Sequence, residues 1–299
     1  MAQAAQTLTP LVLELGGNDP MLVCPDADLT RAAAGAVWAG MQNCGQSCGG
    51  VKRIYIHHCV YQAFLDALAP RVERLRVGYD TDYDVDLGAM TTARQMTEVQ
   101  RQVQAALESG AVIYAQSRTP VDEKGQFLPA RVLTRVHHGM DIMRLETFGP
   151  VVGVMAVENM DQAVAVALAN DSDLGLTASV WTRDRKKGVR LARRIKAGVV
   201  TVNDHLMSHG LAETPWGGFK HSGIGRTHGA AGMAEMTQLQ CLVQDFMPKV
   251  KKNLWWHPHS LHVYHGLRGI IDFLYAQNLG QWFWGLKKLL RTFPSTFRE

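Results

Sequence analysis

Long apolar runs, charged residues and paired cysteines are all scarce in this sequence. No run of about 18 apolar residues is present, so a membrane-spanning helix is not expected. Charged residues make up 19% of the 299 positions, and the net charge is only +4. The basic residues are not concentrated in a stripe with aromatic residues, which argues against a nucleic-acid-binding protein. The hydrophobic fraction of 46% indicates a folded chain with a substantial core.

The cysteines and histidines argue against a disulfide framework and a metal site. Five cysteines at irregular spacing include no Cys-x-x-Cys pair. Four histidines near the carboxyl end fit no zinc spacing, so no metal is expected there: His257, His259, His262 and His265. The amino terminus lacks the basic and apolar regions of a signal peptide. We therefore expect a cytoplasmic protein.

Apolar periodicity predicts strands that alternate with helices along most of the chain. The predicted strands are Leu11–Leu15, Val51–Ile56, Ala111–Ala115, Val151–Val157, Ala178–Trp181 and Val199–Val202. The predicted helices are Leu29–Met41, Val60–Leu75, Thr92–Ser109, Met160–Ala169 and Arg185–Lys196, with Asp161 in the first turn of the fourth. This alternation indicates an α/β fold in which a largely parallel sheet is flanked by helices.

Cys48 lies in a loop of small residues, Gly45–Gly50, between a predicted helix and a predicted strand. Small neighbours allow a carbonyl carbon to approach the sulfur closely and leave the Cys48 N–H free to bind a developing oxyanion. A loop at such a junction also gives the access and thiolate character that a nucleophile needs. Taken alone, however, a cysteine in a turn is more often a small buried hydrophobic residue.

Glu14 interrupts the apolar strand Leu11–Leu15 and is followed by two glycines. Burial among leucines should raise the pKa of its carboxyl, which suits a general base near neutral pH. An edge-strand glutamate that faces water is an equally good interpretation of this residue alone.

Together, the two segments resemble the aldehyde dehydrogenase superfamily. Leu13–Asn18 matches the glutamate signature of that family, and Gly45–Cys48 matches its cysteine signature. Their separation of 34 residues, 48 − 14, is usual in the family, and Arg53 stands where the family has an arginine. The resemblance runs from about Leu11 to Gln244. It implies that Cys48 is the catalytic nucleophile and Glu14 the general base.

Further blocks of the family follow in the same order along the chain. Glu146–Val151 matches the block that holds the nicotinamide end of NAD or NADP. The resemblance implies that Glu146 accepts hydrogen bonds from the nicotinamide ribose and that Phe148 packs beside the ring. Pro215–Arg226 matches the late glycine-rich block, and Asn203 ends a strand that leads to the substrate tunnel. Asn203 is therefore a candidate for contact with substrate or oxyanion.

The implied activity is oxidation of an aldehyde to a carboxylic acid with NAD(P)+. In the family mechanism, the Cys48 thiolate attacks the aldehyde to give a thiohemiacetal, and hydride transfer to the nicotinamide leaves a thioester. Glu14 then activates the water that releases the acid. Neither the aldehyde nor the choice between NAD and NADP follows from the sequence.

The chain departs from the family before the glutamate strand. Family members carry a nucleotide-binding domain there, whereas this sequence has about ten residues and no Gly-x-Gly-x-x-Gly loop. Three explanations stay open: a fragment of a longer enzyme, one half of a split enzyme, or an inactive remnant that serves as an interaction protein. We expect the fragment, because every retained block keeps its reactive residue.

The sequence divides into four expected segments. They are the end of a truncated cofactor-binding domain (1–14), a catalytic domain (15–212), a glycine-rich return segment with an oligomerisation strand (213–248) and an amphipathic, aromatic-rich tail (249–299). Thr237–Val243 matches the strand that family dimers share, so a homo-oligomer is expected. Leucine and aromatic stripes that begin at Leu267 and Leu279 predict helices in the tail. They either pack on a partner or the parent domain, or lie peripherally on a membrane surface.

Overall fold

A computed structural model describes residues 1–79, 82–119, 125–160, 165–245 and 256–296. The chain divides into two compact units, Met1–Gln238 and Leu239–Glu299. The first unit contains all of the predicted site residues, and the second contains the tail. No helix among the described residues is both long enough and apolar enough to cross a bilayer.

The first unit is built from alternating helices and strands. Its helices are α1 (Ala2–Thr7), α2 (Leu29–Met41), α3 (Tyr61–Glu73), α4 (Ala93–Glu108), α5 (Asp141–Arg144), α6 (Ala165–Asn170), α7 (Arg185–Ala192) and α8 (Gly229–Glu235). Its strands are β1 (Leu13–Glu14), β2 (Asp19–Val23), β3 (Val51–His57), β4 (Val112–Gln116), β5 (Arg131–Thr134), β6 (Val151–Val157), β7 (Leu174–Gly175), β8 (Thr177–Trp181), β9 (Val199–Val202), β10 (Phe219–Lys220) and β11 (Gly223–Ile224). Short 3-10 turns cover Gln42–Gly45, His58–Val60 and Met207–Gly210.

Seven strands form one sheet in the order β4-β5-β6-β3-β2-β8-β9. All neighbouring pairs are parallel except β4 and β5. The helices cover the sheet, and β2 and β8 are buried along their whole length. Such two-sided burial is typical of parallel sheets. The predicted α/β fold is therefore confirmed.

The predicted elements differ from the structure mainly at their ends. Two short strands of the sheet, β2 and β5, were not predicted. β2 begins with Asp19 and Pro20, residue types that are depleted in strands, and the register shifts between them. The described part of α6 is Ala165–Asn170 and Met160 lies outside a helix, while Asp161 lies outside the described residues. α7 ends four residues before the predicted Lys196.

Small residues let α2 lie close to the sheet. Asp28 begins this helix by accepting the N–H of Arg31 at 3.0 Å. The face towards the sheet is mostly alanine, and a Cβ on Gly40 would lie 2.7 Å from the Val152 side chain. The helix therefore delivers the loop that follows it directly to the edge of the sheet.

Two segments that were predicted as strands have less regular structure in the single chain than expected. The strand predicted at Leu11–Leu15 shrinks to β1, which pairs antiparallel with β11 outside the main sheet. Residues 237–245 have no regular secondary structure in the single chain, so the strand expected to be shared between subunits at Thr237–Val243 stays a prediction. A strand needs a neighbour for its main-chain hydrogen bonds, and none pairs with this segment among the described residues.

The second unit is a pair of helices, α9 (Leu261–Leu274) and α10 (Leu279–Thr296), as the stripes predicted. Glycines allow the two helices to approach closely: a Cβ on Gly285 would lie 2.5 Å from the Phe273 nitrogen. Lys288 donates to Asp272 at 2.7 Å across the pair. The hairpin therefore has its own packed interface.

Candidate active site

Segments that lead into neighbouring parallel strands form the candidate site. The Glu14 segment precedes β2, Cys48 precedes β3 and Glu146 precedes β6. Because β6, β3 and β2 are adjacent and parallel, their starting ends meet at one edge of the sheet. The strand order therefore brings together three predicted residues that are distant in sequence.

A left-handed turn presents Cys48. Asn43 and Gly45 have φ values of 52° and 65°. The Asn43 amide donates to the Gln46 carbonyl at 3.0 Å, and the Gln46 amide donates back to the Asn43 carbonyl at 3.2 Å. A Cβ on Gly45 would lie 2.0 Å from the Gly149 oxygen, so only glycine fits there. The cysteine loop thus packs main chain to main chain against the Glu146 loop.

Lys52, a residue that the sequence interpretation missed, ties these two loops together. It is fully buried on β3, and its Nζ donates to the carbonyls of Gly45 at 2.7 Å and Gly149 at 3.0 Å. Burial lowers its pKa to about 8, although the charges of Asp19 and Glu146 act in the opposite direction. A lysine within an apolar strand was the available signal for such a role.

The surroundings of Cys48 favour the neutral thiol. The side chain is half-buried and packs against the apolar cluster of Leu176, Val199 and Trp216. Burial raises the pKa of the thiol, and the charges of Asp19 and Glu14 raise it further, whereas the N–H groups of Gly49 and Cys48 lower it. The resting thiol is therefore protonated near neutral pH, which differs from the thiolate character expected from the loop alone.

Glu14 lies on β1 opposite Gly223, with its side chain largely exposed. Partial burial raises the pKa of its carboxyl, while a hydrogen bond from Trp216 and the charge of Arg226 lower it. The predicted direction of the pKa shift is confirmed. Its cause is the local surroundings of a two-residue strand rather than a core of leucines.

Trp216 lies near both Cys48 and Glu14, and the sequence alone did not indicate this position. Its side chain is 3% exposed and belongs, with Leu176 and Val199, to the apolar cluster against which Cys48 packs, and its hydrogen bond lowers the pKa of Glu14. A Cβ on Gly49 would lie 3.1 Å from the indole ring, so the glycine loop leaves room for it. The ring of His209 meets the indole edge-on at 4.9 Å. The sequence signal was the glycine-rich block itself, in which tryptophan is the large residue.

Glu146 and Phe148 occupy the loop before β6. One Glu146 oxygen accepts the N–H of Gly17 at 3.1 Å, and a Cβ on Gly16 would lie 2.1 Å from the other oxygen. Burial raises the pKa of Glu146, while the Gly17 N–H and the charge of Lys52 lower it. Phe148 is half-buried with a left-handed φ of 48°. A carboxylate seated on glycines retains acceptor capacity for ribose hydroxyls, so these residues fit a nicotinamide ribose.

The side-chain amide of Asn203 hydrogen-bonds to the main chain of Thr182. Its amide oxygen accepts the Thr182 N–H at 2.9 Å, and its amide nitrogen donates to the Thr182 carbonyl at 2.8 Å. Asn203 therefore joins the ends of β8 and β9, and its contact with substrate or oxyanion stays a prediction. His205, two residues later, contacts the cysteine loop, with Nε2 at 3.0 Å from the Gly49 oxygen.

Arg53 is a structural residue of the site. It is 1% exposed and donates to the Asn18 carbonyl at 2.8 Å and to the Leu168 and Ala169 carbonyls at 3.0 and 3.1 Å. These bonds fasten the segment after Glu14 to the carboxyl end of α6.

Comparison with known proteins identifies the family. Residues 1–242 match the aldehyde dehydrogenase family. A 4,4'-diapolycopene aldehyde oxidase of a Methylomonas species is 40% identical over 278 residues, 93% of this chain and 51% of that protein. An NADP(+) succinate-semialdehyde dehydrogenase of Mycobacterium tuberculosis is 40% identical over 239 residues, 80% of this chain and 51% of that protein.

Solved structures give the same result. The NAD+ complex of betaine aldehyde dehydrogenase from Staphylococcus aureus matches with a TM-score of 0.73 and 34% identity, covering 79% of this chain and 46% of that one. The NAD+ complex of aldehyde dehydrogenase from Bacillus cereus matches with a TM-score of 0.75 and 34% identity, covering 80% and 48%. This chain spans about half the length of the curated relatives it matches. The chain belongs to the aldehyde dehydrogenase family.

Proposed function

We propose that this chain supplies the acyl-transfer chemistry of NAD(P)-dependent aldehyde oxidation, with Cys48 as nucleophile and Glu14 as general base. The observation that carries the proposal is that Cys48 packs against the apolar cluster that contains Trp216, the residue whose hydrogen bond lowers the pKa of Glu14. The Glu146 carboxylate seated on Gly17 supports a nicotinamide ribose at the same edge of the sheet.

Each residue has a definite step in this chemistry. The Cys48 sulfur bonds to the aldehyde carbon and its proton passes to solvent, while the main-chain N–H of Cys48 stabilises the oxyanion. A bound nicotinamide supplies the hydride acceptor. Glu14 takes a proton from the water that attacks the resulting thioester, and the raised pKa of its carboxyl suits proton transfer near neutral pH. Breaking the C–S bond returns the sulfur to Cys48.

Esterase kinetics test the two assignments without a cofactor. With p-nitrophenyl acetate, the wild-type chain should release a burst of nitrophenol as Cys48 is acetylated and then turn over slowly. Cys48→Ala should lose the burst. Glu14→Gln should keep the burst and lose about 10²–10⁴-fold in steady turnover, the usual contribution of a general base.

Cys241→Ala is a matched control, because Cys241 is an exposed free cysteine. It should behave as the wild type. Wild-type turnover in Glu14→Gln would contradict the assignment of the base, and a normal burst in Cys48→Ala would contradict the assignment of the nucleophile.

An apolar aldehyde is the substrate class that the adjoining cleft favours. A cleft of about 580 Å³ borders Gln46 and Ser47 of the cysteine loop and continues past Trp38, Leu206 and Met207. Within the described part of the chain, its lining contains no lysine or arginine, but it does include Asp204. A substrate carboxylate, as in succinate semialdehyde, would have no cation to pair with there. We therefore favour a substrate like the diapolycopene aldehyde named for the Methylomonas relative.

Protection of Cys48 from alkylation tests this preference. An aldehyde that forms a thiohemiacetal blocks the sulfur, so decanal should slow labelling by iodoacetamide at lower concentrations than succinate semialdehyde. Labelling of the exposed Cys241 serves as the internal control. Equal or stronger protection by succinate semialdehyde would reverse the preference.

Cofactor affinity tests how much of the nucleotide site these residues provide. Glu146 and Phe148 account for the nicotinamide end only, and the sequence has no Gly-x-Gly-x-x-Gly loop for the pyrophosphate. We therefore propose that hydride transfer belongs to a longer enzyme that includes a nucleotide-binding half. Calorimetric titration of this chain with NAD+ or NADP+ should give weaker than micromolar affinity, and micromolar binding would contradict the proposal.

The segment after α8 supports a homo-oligomer. Leu239, Leu242 and Val243 are 104%, 92% and 85% exposed and lie where the shared strand was predicted. Pairing with a second copy would cover them and complete their main-chain hydrogen bonds. Light scattering should give a multiple of 33.0 kDa, and Leu242→Glu should shift the mass towards a single chain.

For the second unit, we propose contact with an anionic membrane surface. Residues 239–299 contain eight basic and three acidic residues, a net charge of +5, whereas residues 1–238 contain 23 and 24, a net charge of −1. One face of α10 combines exposed Phe283, Trp284 and Leu290 with Lys287 and Arg291. Such a face suits the headgroup region of a bilayer. The sequence match with the Methylomonas relative covers 278 of the 299 residues, so α9 of the second unit lies within the matched region.

Vesicle sedimentation distinguishes this surface from a protein partner. The chain should bind vesicles that contain phosphatidylserine and not pure phosphatidylcholine. Lys287→Glu with Arg291→Glu should weaken binding at least about tenfold, since each basic residue near the surface contributes about 1 kcal/mol. Lys186→Glu, an exposed position of α7, is the control. Unchanged binding by the double variant would refute the membrane proposal, and self-association without vesicles would favour a second copy.

A further inference from the structure

A buried polar cluster behind Cys48 is not used by the proposed chemistry. It consists of Asp19 at the start of β2, Thr177 at the start of β8, and His205 after β9. None of the three is more than 3% exposed. Burying a carboxylate, a hydroxyl and an imidazole is costly unless they satisfy one another, so the cluster requires an explanation.

Hydrogen bonds connect the cluster to the cysteine loop. Thr177 donates its N–H to one Asp19 oxygen at 3.1 Å and its hydroxyl to the other at 2.7 Å. The Nε2 atom of His205 lies 3.0 Å from the Gly49 carbonyl oxygen and 3.1 Å from the Thr177 hydroxyl. Because a carbonyl can only accept, Nε2 must carry the proton of this imidazole. The chain of contacts therefore runs from Asp19 through Thr177 and His205 to Gly49, the residue after Cys48.

The Asp19 carboxylate is also close to Cys48 itself. A Cβ built on Gly17 would lie 2.1 Å from the Cys48 carbonyl oxygen and 2.9 Å from an Asp19 carboxylate oxygen. The two oxygens are therefore at most 5.0 Å apart, the sum of these distances.

We propose that Asp19, acting through Thr177 and His205, is a positioning residue that fixes the Gly49–Gly50 peptide directly after Cys48 and sets the pH at which the nucleophile reacts. The proposal rests on the role proposed above for Cys48. Asp19 itself touches neither substrate nor cofactor. Its influence is exerted through the geometry of the peptide and through its charge.

The charges around Asp19 give the direction of the effect. Burial raises the pKa of Asp19 to about 7, bonds from Thr177 and the charge of Arg53 lower it, and the charge of Glu146 raises it. Lys52 also interacts with this carboxylate, and the neutral His205 faces it through Thr177. Asp19 therefore gains its charge near neutral pH. That charge opposes ionisation of the thiol, so its removal should make Cys48 react at lower pH.

The pH profile of Cys48 alkylation tests the proposal. Labelling by iodoacetamide is followed for the Cys48 peptide by mass spectrometry between pH 6 and 10. Asp19→Asn should move the midpoint of the profile to lower pH and speed labelling below it, about tenfold for each pKa unit. Asp66→Asn, which removes an exposed carboxylate from α3, should leave the profile unchanged.

Substitutions of Thr177 separate positioning from charge. Thr177→Val removes the hydroxyl that links Asp19 to His205, so acetylation of Cys48 should slow several-fold without the downward shift in midpoint expected for Asp19→Asn. Thr177→Ser retains the hydroxyl and should restore the wild-type rate. If Asp19→Asn does not fold, the comparison of Thr177→Val with Thr177→Ser decides the matter.

An Asp19→Asn profile that superimposes on the wild type, or a Thr177→Val rate equal to that of Thr177→Ser, would overturn the proposal. Alkylation requires no turnover. A shifted profile in Asp19→Asn combined with normal turnover in Glu14→Gln would therefore refute the proposed general base and leave this inference intact.

Discussion

Replacing Lys52 with methionine should destabilise the first unit strongly. Methionine has a similar length and removes only the ammonium group, which donates to the carbonyls of Gly45 and Gly149. Hydrogen bonds from charged groups contribute about 1.5–3 kcal/mol each. The substitution also removes one of the cations near the buried Asp19 and leaves Arg53 as the other. Removal of one partner from a buried charged group costs about 3–5 kcal/mol, a large part of the ~5–15 kcal/mol that stabilises a typical domain.

The destabilisation should grow with pH. Burial lowers the pKa of Lys52 from 10.5 to about 8, so between these values the unfolded chain binds a proton that the folded chain does not. By linkage, ionisation of Lys52 does not change stability with pH below about 8 and increases stability as pH rises towards 10.5. Lys52→Met lacks this increase. The difference between wild type and variant should therefore widen above pH 8, by up to about 3 kcal/mol.

Urea unfolding followed through Cys24 measures the effect. Cys24 directly follows β2 and is 0% exposed, so its alkylation reports opening of the first unit. Lys186→Met, at an exposed position of α7, is the matched control and should unfold at the same urea concentration as the wild type. If Lys52→Met unfolds within about 1 kcal/mol of that control at pH 7, the reasoning about buried charge is refuted.

Three further outcomes follow from the site. Trp216→Phe removes a hydrogen bond that lowers the pKa of Glu14, so the pH midpoint of ester turnover should rise. An unchanged midpoint would show that Trp216 does not influence the ionisation of Glu14. A carboxyl whose folded pKa is raised to about 7 stabilises the fold at low pH and loses this contribution as pH rises. Wild-type stability should therefore fall between pH 4 and 7, and this fall should be smaller in Asp19→Asn. Urea midpoints at pH 5 and 8 measure the difference. Gly45→Ala combines a φ of +65° with a Cβ 2.0 Å from the Gly149 oxygen, and should lose more than about 1 kcal/mol of stability in the same assay.

The sequence predicted the elements whose signal is local. Leu29–Met41, Val151–Val157 and Val199–Val202 have the predicted bounds residue for residue, because each contains a clear apolar period between evident ends. β2 escaped prediction because Asp19 and Pro20 are poor strand residues, and their place in the sheet depends on neighbours from elsewhere in the chain. Thr237–Val243 has no regular secondary structure in the single chain, and the strand expected there, which needs a second copy for pairing, stays a prediction.

By itself, the sequence determined the reactive residue types and the family to which they point. Glu14, Cys48 and Glu146 were found because their short motifs are specific. Only the tertiary structure decided how they meet: the order β6-β3-β2 places the segments before these strands at one edge of the sheet. Strand order is a property of long-range pairing, which no local pattern encodes.

The supporting residues were decided at the same level. Trp216 and Lys52 became visible only when distant segments packed together, and only the structure shows that Asn203 binds the main chain of Thr182. A side chain's chemical type is written in the sequence. Its burial, charge state and partners depend on what the fold packs against it, and these decide whether it reacts, positions a neighbour or holds the chain together.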